Sequence, residues 1–403
     1  MLNLNVKKKD KHVLPVGIDK IAFYTSHYVL NLMDLAKERG HEADKFFVGF
    51  GQQSMSVPSP DEDIVTMAAN AASRVMRDVD PNSIEMLLFA TESGIDQSKA
   101  AGIYVHDLLG LPERCRVMEV KQACYAATMA LQLAIPFIRQ HPEKKVLVIA
   151  SDIARYGLNT PGESSQGCGA VAMIISVNPR LMVLESEYGV VTENAMDFWR
   201  PNYKDAAFVE GKYSSKLYIS MLEKSWQQYN AISKRSFNDH DYYCYHVSVP
   251  RLIEKAHAYL AKINGQEKLS DEAIAQQIGA SLEYGRKIGN CYTASLYLGL
   301  ASLMDCTRED LSEKRIGLYS YGSGCVAEYF SGIIQPGYQK MLDTNYQQRM
   351  LAERTQLTCP EYESYYTYKY PEDGSTLEIP QHHTGNFRLA RIKDHKRIYE
   401  RVS

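Results

Sequence analysis

The chain has 403 residues, 45% of them hydrophobic and 23% charged, an ordinary globular composition with room for two or three domains or one large duplicated α/β body. Its net charge of −3 supplies no global basic field for nucleic acid, so an anionic ligand would need a local basic patch. Eight cysteines with no Cys-x-x-Cys pair and no His/Cys cluster at zinc spacing, no signal peptide and no apolar run of bilayer length argue for a reduced, cytoplasmic protein with no metal site.

In chain order, residues 1–15 read as a charged tail, with the basic stretch at 6–12 solvated. A helix is expected over 61–77 and a continuous apolar strand over 83–91. A short apolar stretch, 115–120, leads into an Ala-, Leu- and Met-rich helix over 125–140, which Pro136 should kink or shorten. A second continuous apolar strand follows at 145–151. The later part carries helices at 217–231, 250–261, 271–287 and 293–304, with strands at 242–249 and 315–321. Continuous apolar strands suit central positions buried on both faces, and their alternation with helices means an α/β architecture. From about 345 the chain turns rich in Tyr, Gln, Glu and Arg and reads as a peripheral extension.

An internal echo organises the rest. Ala123-Cys124-Tyr125-Ala126-Ala127-Thr128 and the residues after it line up with Asn290-Cys291-Tyr292-Thr293-Ala294-Ser295 and theirs. Gly167-Cys168-Gly169-Ala170-Val171-Ala172 is then echoed by Gly322-Ser323-Gly324-Cys325-Val326-Ala327. Two matches in the same order indicate a duplicated fold. Its two similar halves, each a sheet with helices on its faces, would share a central layer formed by the helices behind Cys124 and Asn290.

Three titratable residues stand at strand ends, where α/β proteins place ligands. Cys124 precedes a buried helix, and the positive end of the helix dipole would favour its thiolate. A buried structural cysteine is the commoner role of the type. Glu92 follows an apolar strand, where desolvation would raise its pKa toward that of a general base; a capping or ion-paired Glu is the plainer alternative. His246 lies in an apolar strand, where a satisfied core histidine is more usual. The turn Gly322-Ser323-Gly324 can direct backbone N–H groups at an anion or a developing oxyanion.

Together these segments resemble the hydroxymethylglutaryl-CoA synthases of the thiolase superfamily, and the bacterial branch in particular. The resemblance rests on Ala90-Thr91-Glu92-Ser93, Lys121-Gln122-Ala123-Cys124-Tyr125-Ala126-Ala127-Thr128, Asp152-Ile153-Ala154-Arg155-Tyr156-Gly157-Leu158-Asn159, Asp197-Phe198-Trp199-Arg200-Pro201, Ile288-Gly289-Asn290-Cys291-Tyr292-Thr293 and Ser320-Tyr321-Gly322-Ser323-Gly324. It implies a thiolase-like αβαβα layered fold with mixed sheets: an N-terminal half (16–180) carrying Glu92 and Cys124, a C-terminal half (181–344) carrying His246 and Asn290, and an extension (345–403). It also implies condensation of acetyl-CoA with acetoacetyl-CoA through an acetyl-Cys124 thioester, as in the mevalonate route to isoprenoids. Glu92 would be the base and His246 would polarise or protonate the acceptor ketone. The N–H groups of Cys124 and Ser323 would serve the oxyanions.

Tyr156, Asn159, Ser165, Ser214, Asn290, Tyr292 and Ser323 match substrate-binding positions, and Asp152 and Asp197 match supporting acids. Arg251 and Lys255, one helical turn apart, are candidates for the CoA phosphates. CoA thioesters would be substrates, with no cofactor, no membrane or nucleic-acid partner, and a homodimeric assembly. The family's His-x-Pro-Phe is replaced here by His246-Val247-Ser248-Val249-Pro250. Two other functions fit the same residues. One is a polyketide-branching synthase acting on carrier-protein-bound acyl groups; the other is an inactive binding homologue.

Overall fold

The structure is a computed structural model that describes residues 14–42 and 44–402; most of the charged tail, its 6–12 stretch included, lies outside the described residues. Nine strands form the central framework: β1 (Val16–Tyr24), β2 (Ile84–Ala90), β3 (Arg116–Val120), β4 (Lys145–Ile153), β5 (Cys168–Val177), β6 (Met182–Thr192), β7 (Tyr242–Tyr245), β8 (Arg315–Gly322) and β9 (Val326–Ile334). The helices that pack on them are α1 (Ile64–Val75), α2 (Ala101–Leu108), α3 (Ala126–Gln140), α4 (Gly211–Ser233), α5 (Pro250–Ile263), α6 (Ala280–Ile288) and α7 (Ser295–Cys306).

The strands are hydrogen-bonded in the order β7-β8-β9-β6-β1-β5-β4-β2-β3. Each half repeats one pattern. In the first, β1 and β5 are antiparallel, β5 and β4 antiparallel, and β4 and β2 parallel. In the second, β6 and β9 are antiparallel, β9 and β8 antiparallel, and β8 and β7 parallel. The two meet at a short joint, where Gly17 pairs with Val183 and Ile18 with Met182. The duplication expected from the echo is thus present in the topology, although the second half has no strand answering to β3.

Alternation along the strands shows the layering, because successive side chains face opposite sides of a sheet. Leu88 and Ala90 of β2, Val146 and Val148 of β4, Cys244 of β7 and Leu318 of β8 enter one shared core with Ala127 and Leu131 of α3 and Leu296 and Leu300 of α7. Leu87, Phe89, Leu147 and Ile149 face the other way, onto α1. Tyr243, Tyr245, Tyr319 and Tyr321 face α4 and α5. The result is helix, sheet, helical centre, sheet, helix. Helix α1 begins sharply because Asp63 and Thr66 form a reciprocal capping box.

Local departures from expectation have physical causes. Helix α3 runs unbroken through Pro136 to Gln140. Pro136 is exposed, so solvent can satisfy the carbonyl that loses its partner there. The strand expected over 242–249 stops at Tyr245, which leaves His246 just past its end. The helix expected over 271–287 is helical throughout but contains a π turn at Ala275–Gly279. The extension from about 345 lies outside the nine-stranded sheet, yet it is packed down. Phe387 joins the core beneath α1, the buried Arg388 meets Asp61, and helix α8 (Cys359–Tyr366) packs near the loop after β4.

Candidate active site

Cys124 sits on a strained turn between β3 and α3. Ala123 has φ +42, a conformation unfavourable for a residue with a side chain and often kept at functional sites. Gly322, at the end of β8, presses on this turn: a Cβ there would lie 2.6 Å from Gln122 O and from Tyr125 N. Gln122 Nε2 also donates to Ser323 O at 3.2 Å. The C-terminal half therefore shapes the turn that presents the thiol.

Glu92 arrives from the other side, two residues beyond β2. The Cys124 thiol donates to Glu92 Oε1 at 3.0 Å. Asp152, at the end of β4 and fully buried, organises the Glu92 turn. Its Oδ1 accepts from Thr91 Oγ1 at 2.7 Å and from the N–H groups of Glu92 and Ser93, both at 2.9 Å. Its Oδ2 accepts from the N–H of Thr293 at 3.0 Å and from the Thr293 hydroxyl. Arg200 donates to the Glu92 carbonyl oxygen.

Burial pushes the Glu92 carboxyl up to about 8, with the nearby Asp152 charge adding to it. The expectation that the helix end would favour a Cys124 thiolate is not met. Burial, then the Glu92 carboxylate, raise the thiol well above its ordinary range. The helix dipole acts only near its terminus, whereas desolvation and an adjacent negative charge both oppose the thiolate. The resting pair is a neutral thiol hydrogen-bonded to a buried carboxyl group.

Aromatic walls close the site. The rings of Tyr156, Phe198 and Tyr292 stand 5.7–5.9 Å apart, edge to face. Asn290 Nδ2 donates to the Tyr156 hydroxyl at 2.9 Å, and its Oδ1 accepts from Tyr292 N at 2.8 Å. Asp197, also fully buried, holds the glycine turn. It accepts from Tyr321 OH at 2.7 Å, Gly324 N at 3.0 Å and Ser214 Oγ at 3.0 Å.

His246 follows β7, beside β8, the strand that ends in the glycine turn. Its N–H donates to Tyr319 O at 2.8 Å, and its carbonyl accepts from Tyr218 OH at 3.0 Å. Among the described residues its buried Nδ1 has no hydrogen-bond partner. Burial lowers the imidazole to about 3, so the ring is neutral at pH 7. It makes no hydrogen bond to Cys124 or Glu92 among the described residues. The altered Val247 is buried and packs over Gly285 of α6, whose Cβ position lies 3.4 Å from Val247 Cγ1.

Other expected residues stand further out. Ser165 accepts Asn290 N through its carbonyl and donates its hydroxyl to Gly162 O, 2.8 Å away. Asn159 sits on an exposed turn at φ +56. Arg251 and Lys255 are exposed near the start of α5, where Arg251 is paired with Glu254. Sequence reasoning did not single out Arg200, Thr293, Gln122 or Phe198. All four lie within quoted motifs, but only their tertiary partners reveal what they do. Among the described residues, no helix is long and apolar enough to cross a membrane.

Comparison with known proteins agrees with this architecture. The family model for the hydroxymethylglutaryl-coenzyme A synthase N terminal matches residues 12–180, and that for the C terminal matches 263–400. A hydroxymethylglutaryl-CoA synthase of Enterococcus faecalis is 40% identical over 366 residues, covering 91% of this chain and 95% of that protein. A polyketide biosynthesis 3-hydroxy-3-methylglutaryl-ACP synthase, PksG of Bacillus subtilis (strain 168), is 33% identical over 87% of this chain and 88% of its own length. A crystal structure of an HMG-CoA synthase complexed with CoA superimposes with a TM-score of 0.91 at 40% identity, covering 96% of this chain and all of the other.

Proposed function

Because the chain belongs to the hydroxymethylglutaryl-CoA synthase family, we propose that it condenses acetyl-CoA with acetoacetyl-CoA and water to give HMG-CoA and CoA, by a ping-pong acyl transfer. The observation that carries this reading is the 3.0 Å contact between Cys124 Sγ and Glu92 Oε1, at the positions where the family's motifs put a nucleophile and a base.

In the first step Cys124 sulfur attacks the acetyl carbonyl while its proton passes to Glu92. The tetrahedral intermediate collapses, and Glu92 returns the proton to the departing CoA sulfur. This leaves acetyl-Cys124 and a carboxylate. A carboxyl near 8 is suited to that shuttle, because neither protonation state is strongly favoured. In the second step the Glu92 carboxylate removes a proton from the acetyl methyl group, which the thioester keeps acidic. The carbanion adds to C3 of acetoacetyl-CoA. His246 acts as a neutral hydrogen-bond donor to the ketone oxygen, and Glu92 returns its proton to the alkoxide. Water then cleaves the thioester to a carboxylate and a proton, and the Cys124 thiol is restored. The N–H groups of Cys124 and Ser323 are the oxyanion donors in this scheme. Tyr156, Ser214, Asn290 and Tyr292 shape the acyl pocket, with Asn159 and Ser165 nearer its entrance. Arg251 and Lys255 would meet the CoA phosphates.

The free cysteines fit a reducing, cytoplasmic setting, and a homodimer is the expected assembly. The likeness to a synthase named for acyl carrier protein substrates favours a second reading, in which the acceptor is tethered to a carrier protein. The deciding experiment is a steady-state assay of acetyl-CoA with acetoacetyl-CoA against acetoacetyl carrier protein. Efficient turnover of the CoA thioester is expected; a strong preference for the carrier-bound acceptor would overturn the first reading.

A further inference from the structure

Arg200 follows a short strand, Phe198–Trp199, that pairs antiparallel with Phe208–Val209. The hairpin is stiffened by stacking of Trp199 on Phe208, with centroids 5.5 Å apart. Asp197 before it is anchored to the glycine turn, and Phe198 forms one wall of the acyl pocket. Arg200 is therefore delivered on a fixed arm, and its guanidinium bonds the main-chain carbonyl of Glu92. Among the described residues it pairs with no carboxylate, so its charge is not neutralised by an ion pair.

The groups facing Glu92 come from several elements. Cys124 lies on the turn before α3, Asp152 at the end of β4, Tyr156 in the following loop and Tyr292 on the turn before α7. Asp197 faces Cys124. Asp152 and Asp197 are acids, and the tyrosines and the thiol are neutral when protonated. Arg200 is the cation in this set.

We propose that Arg200 is a positioning residue that fixes the Glu92 turn and keeps the Glu92 carboxyl ionisable enough to act as a base. The proposal rests on the reading of Glu92 as that base. Burial and Asp152 drive Glu92 toward the neutral acid, and Arg200 acts in the opposite sense. Without the cation, the working carboxylate would form only at higher pH. The tie to the carbonyl also sets the turn that aims the side chain at the acyl group.

The test uses full-length protein and the rate of condensation from preformed acetyl-enzyme, followed from pH 6 to 10. The wild type should show an acid limb. Arg200→Met should move that limb upward by about one pH unit and largely recover rate on the alkaline plateau. Arg200→Lys, which keeps the charge, should hold the limb near its wild-type position. Arg200→Gln replaces the methionine variant if that one fails to fold. A uniform loss of rate with an unmoved limb would mean a purely structural role and would overturn the proposal. So would a lysine variant whose limb moves as far as that of the neutral variant. Glu92→Gln separates the two levels: condensation at the wild-type rate in that variant would remove Glu92 as the base. An inactive Glu92→Gln together with an unmoved Arg200→Met limb would remove only the role given to Arg200.

Discussion

At the scale of single residues, ionisation is decided by enclosure rather than by sequence neighbours. Glu92 and Cys124 could be picked out because strand-to-loop and turn-to-helix junctions are readable from hydrophobic period. The raised thiol could not, because it depends on desolvation and on an acid 32 positions away. Cys124→Ala should abolish labelling by radioactive acetyl-CoA; label retained at the wild-type level would exclude it as the acetyl carrier. Glu92→Ala should still acetylate, though more slowly, and should lose condensation by roughly 10²–10⁴-fold, as read in a single-turnover assay. A second buried acid, Glu62, lies away from this site. Among the described residues neither of its oxygens has a well-formed hydrogen bond, and burial raises it to about 8 despite the hydroxyls of Ser26 and Tyr24 beside it. Its folded pKa exceeds the ordinary value of 4.5, so its contribution to stability is complete below that value and is lost as pH rises through about 8. Glu62→Gln should therefore raise the melting temperature at pH 8–9 and change it little at pH 5. A uniform shift across that range would argue against a titrating Glu62.

At the scale of elements, turns carry what periodicity does not. Strand alternation and helix spacing are visible in the chain, and most element centres follow from them. The echo aligned Cys124 with Cys291, but the backbone pairs them differently. Ala123 and Tyr292, both with positive φ, each stand three residues before the first residue of a central helix. By that register the counterpart of Cys124 is Thr293. Small apolar residues repeat often enough in such helices to let a match slip by two positions, whereas a strained φ marks the turn itself. The close approach of Gly322 to the Cys124 turn was equally hidden, since glycine in a turn has many uses. Gly322→Ala should impair acetylation far more than it lowers the melting temperature, because the added methyl group meets Gln122 O and Tyr125 N. Normal acetylation kinetics in that variant would show that the turn has room to move.

At the scale of the whole molecule, the layered fold was legible because two ordered echoes imply two copies. The joint between the copies was not, because it depends on a β1–β6 pairing only two residue pairs long. Gly17 is required there: a Cβ would lie 2.1 Å from Met182 O. Gly17→Val should cost about 1–3 kcal/mol by overpacking, measured by urea denaturation; an unchanged midpoint would mean that the joint is dispensable. Other ties cross between the copies as well. Tyr125, next to the nucleophile, donates to the buried Glu328 of β9 at 2.6 Å. Thr293, on the silent counterpart of the nucleophile's turn, binds the same Asp152 that holds the turn of Glu92. The copies have thus ceased to be exchangeable modules. A chimera joining the first half of this chain to the second half of a relative would break these contacts wherever the relative carries another residue in place of Thr293 or Glu328. Its losses should fall first on the base and on the thiol's helix, and exchanging Asp152 with Thr293, or Tyr125 with Glu328, as pairs should recover more than either partner alone.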